Sequence, residues 1–126
     1  MITLLKASFV YFGIEDETIL IGFADDEFET KEYVLFQKSL CIEDIPILNN
    51  VHITFNSEDR SEYGGIVKII ISRKLISIFL TKETARSLGI TDSIDIEYGI
   101  DEKRYHTLIS QFNKLNADQE IVIEVK

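Results

Sequence analysis

Cysteine, proline and long apolar runs are almost missing from this sequence. Cys41 is the only cysteine among 126 residues, so no disulfide can form within the chain. A lone thiol suits a reducing compartment. No basic residue stands beside it in sequence to lower its pKa, and Cys41 reads as a small apolar filler. Pro46 is the single proline, and no stretch is rich in Pro, Gly or Ser, which leaves no linker and no repeat. No apolar run approaches the ~18 residues that a membrane span needs. Residues 1–13, apolar around Lys6, lack the order of a signal peptide: basic start, unbroken apolar block, small-residue cleavage site. The expectation is a cytoplasmic protein with no membrane attachment.

Basic residues are scarce too. The chain carries 13 Lys and Arg against 22 Asp and Glu, a net charge of −9. Residues 1–65 hold four of the basic groups (Lys6, Lys31, Lys38, Arg60) and thirteen acidic ones, while residues 66–126 hold nine of each. The whole imbalance lies in the first half. Such a field repels nucleic acid and disfavours direct DNA or RNA binding. It attracts a basic protein and raises its association rate roughly ten- to a thousand-fold. It also serves, more simply, as a solvated face that keeps a protein soluble. What remains is ordinary for a globular protein, with 45% hydrophobic and 28% charged residues. One domain covering 1–126 follows.

Residues 2–12 (ITLLKASFVYF) are β-branched and aromatic and predict a strand, with a charged turn at Glu15-Asp16-Glu17. Further strands are predicted at 18–23, 33–37 and 51–55, with an acidic loop at 24–32 and an irregular stretch at 39–50 around Pro46. The polar run NSEDRSEYGG reads as a loop. Residues 66–72 and 75–80 are the strongest strands, joined by a turn at Arg73-Lys74. Thr81 and Gly89 bracket a short helix. Residues 93–98 alternate, with Ile94, Ile96 and Tyr98 on one face. Asp101 opens a longer helix on which Tyr105, Leu108, Ile109, Phe112 and Leu115 form one apolar stripe. Residues 120–125 close the chain as a strand. The predicted fold class is α+β: a curved, mostly antiparallel sheet of seven to eight strands, with a short helix and a longer C-terminal helix packed on one face.

Groups that carry chemistry are few. His52 and His106 show no HxxxH or HxH spacing and there is no CxxC, so no zinc site is indicated. No G-x-S-x-G elbow is present, and Gly64-Gly65 has no following Lys-Ser/Thr to make a phosphate loop. Carboxylate pairs occur at Asp25-Asp26, Glu43-Asp44, Glu58-Asp59 and Asp101-Glu102, as expected of any chain with 22 acids. They leave open an alternative, a small-ligand or divalent-cation site in the acidic loop. No enzyme and no cofactor are expected. Tyr63, followed by two glycines, is either a plug for a corner of the core or an exposed anchor.

Two segments stand out, GFADDEFETKEYVLFQKS at 22–39 and VHITFNSEDRSEYGGI at 51–66. A strand hairpin follows, then LTKETARSLGI, then IDIEYGIDEKRYHTLISQF. In this order they resemble the immunity protein 10 family of bacterial polymorphic toxin systems, over about residues 15–115. The resemblance implies a cytoplasmic antidote that binds and neutralises a toxin encoded beside it, without catalysis. A basic nuclease is one candidate for that toxin. The tail EIVIEVK departs from the family pattern by adding a strand, which leaves both monomer and homodimer open. The resemblance supplies no interface residues. Excess charge around the matching segments points to Asp25, Asp26, Glu27, Glu58, Asp59 and Glu62 as the toxin-facing acids, with Phe28 or Tyr63 as an aromatic anchor.

Overall fold

In the computed structural model, which describes residues 2–126, the predicted first strand is two strands. β1 (Ile2–Lys6) and β2 (Phe9–Glu15) part at Ala7-Ser8 and enter different sheets. Met1, counted in the single domain above, lies outside the described residues.

From β2 the chain builds an antiparallel meander with β3 (Thr18–Ala24), β4 (Tyr33–Ser39), β5 (His52–Phe55) and β6 (Ser57–Tyr63). Side-chain alternation sets its register. Ile19, Ile21 and Phe23 of β3 and Val34 and Phe36 of β4 are buried, while the residues between them face outward. The β2–β3 turn is Asp16-Glu17, with φ of 49° and 60°. Two left-handed residues are what a two-residue hairpin needs to follow the twist of its strands.

β6 corrects the expected loop at 56–65. Its residues SEDRSEY show no alternation, because the strand is an edge with a bulge. The ladder steps from Ser61 opposite Thr54 to Ser57 opposite Phe55, leaving residues 58–60 without a partner across from them. The polar inward groups are met by the short helix α1 (Lys82–Leu88). Arg60 lies over the Phe55 ring and donates to the Leu88 carbonyl (2.7 Å), and Glu62 accepts from Ser87 (3.0 Å).

The second sheet uses β7 (Ile66–Ile71), β8 (Leu75–Leu80), β9 (Ser93–Glu97) and β10 (Val122–Val125), in the order β1-β9-β8-β7-β10. β1 runs parallel to β9 and β10 parallel to β7. The fold is α+β as expected, but the described residues form ten strands in two five-stranded sheets, one antiparallel and one mixed, instead of one curved sheet of seven to eight. Parallel pairing needs a long crossover, and here the crossovers are whole blocks of the fold. The entire meander lies between β1 and β9 in sequence.

Local signals set the helices as predicted. Thr81 caps α1 through the Thr84 N–H, and Gly89 closes it at φ 74°. Asp101 caps α2 (Glu102–Leu115), whose Tyr105, Leu108, Phe112 and Leu115 are buried together with Gln111. Ile109 is only partly buried against the core. Arg104 and Gln111 tie α2 to the carbonyls of Val10 and Gly13 on β2 (2.7 Å each). Edge-on ring pairs, Phe36 with Phe112 and Phe23 with Tyr98, join both sheets and α2 in one core.

The Tyr63-Gly64-Gly65-Ile66 motif carries the chain from one sheet to the other. Gly65 has φ +86°, and a Cβ there would stand 1.8 Å from the Thr84 hydroxyl. This glycine lets α1 press against the junction, where Thr81 N–H meets the Gly65 carbonyl (2.9 Å) and the Thr84 hydroxyl donates to the Gly64 carbonyl (3.2 Å).

Candidate functional site

The charge imbalance maps onto the meander. Residues 9–63 contain thirteen acidic and three basic groups, a net of −10, and the rest of the chain carries +1. Of the three bases, Lys38 is buried and paired with Asp118 (3.3 Å), and Arg60 is turned to α1. Lys31 alone stands exposed among the acids.

The predicted site residues lie at both ends of this sheet. β3 spans seven residues, which separates the ends by about 20 Å. At one end is the loop 25–32, braced by its own acids. The Asp25 carboxylate accepts from the Lys31 and Glu32 N–H groups (3.0 and 3.2 Å), and Asp26 from those of Phe28 and Glu29 (3.0 and 2.8 Å). The Lys31 and Glu32 donors hold the Asp25 carboxyl below its ordinary range. This bracing leaves Glu27 exposed and Phe28 87% exposed at the loop tip. The bulge of β6 turns Glu58 and Asp59 into solvent at the same end.

Glu62 and Tyr63 belong to the other end. One Glu62 oxygen accepts its neighbour's N–H (3.0 Å) and the other meets Ser87, so its charge is directed at α1. The Tyr63 ring is half-buried and packs at a tilt of 42° against His52, centroids 4.4 Å apart. Both rings line a cleft of about 300 Å³ together with Asp16, Glu17, Lys38, Ser39, Cys41 and Glu43.

Cys41 is not the expected apolar filler. It is exposed and donates to the Glu17 carboxylate. That hydrogen bond, with the nearby negative charges of Glu17 and Glu43, raises its pKa and keeps the thiol protonated. Burial lowers the pKa of His52, so its ring is neutral near pH 7. His106 sits exposed on α2 beside Glu102 (2.9 Å). Among the described residues, no group of three or more His, Cys, Asp or Glu side chains is placed to hold a metal ion, and no helix is long and apolar enough to cross a membrane.

Sequence reasoning passed over the segment between β4 and β5. Leu40, Ile42, Ile45 and Ile47 are all exposed there. The available signal was five aliphatics, these four and the partly buried Leu48, in a stretch that Pro46 keeps out of any sheet or long helix.

Most of the meander's acids lie in its turns and loops, at the two ends of the sheet. The sequence model of the family described as Immunity protein 10 matches residues 6–106, and the chain belongs to that family. Membership implies the function of an immunity protein, and with it a toxin as binding partner. No curated protein is significantly similar in sequence.

Proposed function

We propose that this immunity protein neutralises its cognate toxin in the cytoplasm by non-catalytic docking through the acidic meander sheet. The observation that carries the reading is the division of charge, −10 on residues 9–63 against +1 elsewhere. A field of one sign on one layer orients an oppositely charged partner during encounter and raises its association rate. The partner is a toxin with a basic surface, such as a nuclease whose phosphate sites an acidic face can occupy. Glu27, Glu58 and Asp59 are exposed acids of the loop end, with Phe28 exposed beside Glu27 at the loop tip. Asp25 and Asp26 act indirectly by shaping the loop.

The test is association kinetics with the toxin domain encoded by the neighbouring gene, at low and high salt. Glu58→Lys with Asp59→Lys should slow association about tenfold and flatten its salt dependence. An unchanged rate and salt slope would overturn charge steering.

A further inference from the structure

Leu40, Ile42, Ile45 and Ile47 are 53, 93, 59 and 50% exposed, four large aliphatics within eight residues. Covering them on binding would take apolar surface out of water, which is favourable. The segment is nevertheless held in place. Leu40 N–H donates to the Glu17 carbonyl (2.8 Å), and Asn49 exchanges two hydrogen bonds with the Glu43 backbone (2.8 and 3.2 Å). Gln119 reaches across to the Asn49 carbonyl (3.0 Å). A fixed apolar surface has little conformational entropy to lose on binding.

The cleft beside this surface has one sign of charge. Asp16, Glu17 and Glu43 line it. The ammonium of Lys38 in its wall is already committed to Asp118 and to the Ser39 carbonyl. Neutral His52 and the protonated Cys41 thiol offset nothing. The Tyr63 ring, packed against His52 in the cleft wall, adds an aromatic surface of the kind that takes cations. Asp16 and Glu17 moreover occupy left-handed positions where Asn-Gly fits with less strain.

We infer that Leu40–Ile47 and the adjoining cleft anchor the toxin: a Lys or Arg side chain of the toxin enters the cleft while Leu40, Ile42, Ile45 and Ile47 cover an apolar patch around it. The inference rests on the immunity reading and divides the labour within it. Glu58 and Asp59, about 20 Å away along the sheet, set the rate of encounter. The Ile42 end sets the lifetime of the complex. A charge pair buried at an interface and sealed from water by apolar contacts around it acts mainly on the dissociation rate.

Binding kinetics with the same toxin domain separate the two roles. Ile42→Ser, Ile45→Ser and Glu43→Gln change exposed or partly exposed side chains, and circular dichroism checks that each variant is folded. Ile42→Ser with Ile45→Ser should raise the dissociation rate at least about tenfold, with the association rate nearly unchanged. Glu43→Gln should raise it several-fold. Val67→Ser, at an exposed aliphatic on the other sheet, should change neither rate. If dissociation is unaltered in the Ile42 and Glu43 variants while Glu58→Lys slows association, the anchor is elsewhere and the immunity reading stands. If the unmodified protein fails to bind the toxin domain at all, both fall.

Discussion

Tyr33 and Asn56 exchange hydrogen bonds: the Tyr33 N–H donates to the Asn56 side-chain oxygen (2.8 Å), and the Asn56 N–H to the Tyr33 carbonyl (3.0 Å). The pair fastens the end of the acidic loop to the β5–β6 turn. Asn56 also has φ 66°, a conformation that Asn tolerates and Ala does not. Asn56→Ala should cost about 2 kcal/mol, combining the lost hydrogen bond with backbone strain. Asn56→Gly should cost about half of that, because glycine removes the bond without the strain. Urea unfolding of the two variants checks the ratio.

Gly65 makes a sharper case. An added methyl would collide with the Thr84 hydroxyl at 1.8 Å and with its Cβ at 2.7 Å. Gly65→Ala should destabilise by about 3 kcal/mol or more. Gly64→Ala meets nothing nearer than the Asn50 side chain at 3.4 Å and bears only the penalty of φ +82°, about 1–2 kcal/mol. Equal losses in thermal or urea unfolding would contradict the account of α1 pressing on Gly65.

Asp25 gives a pH signature. Its folded-state pKa is lowered from 3.8 by the Lys31 and Glu32 N–H groups, so folding favours the ionised form. That stabilisation is complete above about pH 4 to 5 and is lost as pH falls through the lowered value. Asp118 works in the same direction through Gln119 and Lys38. Asp25→Asn should therefore be less stable than the parent at pH 7, and the gap should close towards pH 3. Urea midpoints measured across that range test the sign.

Where structure is governed by neighbours in sequence, it was legible. Thr81 and Gly89 bound α1, Asp101 opened α2, and the Tyr105–Leu115 stripe found the core, because each depends on groups a few residues apart. The division into two sheets depends on β1 meeting β9 and β10 meeting β7, pairings that leave no local trace. β6 was missed because its bulge removes the two-residue period and its inward positions, Arg60 and Glu62, are satisfied by a distant helix. Counting charge located the acidic excess in the half of the chain that forms the meander. It could not tell that Asp25 and Asp26 turn their carboxylates to backbone N–H groups, or that Glu62 faces α1.

The pairing of β1 with β9 also fixes an order of events during synthesis. β1 is made well before its partner, which begins only at Ser93, and β10 follows β7 by two further strands and both helices. Every contact within the meander, by contrast, closes inside residues 9–63. Loops that short close early, whereas distant pairings wait. The negatively charged layer is thus able to take shape while the second half of the polypeptide is still being made.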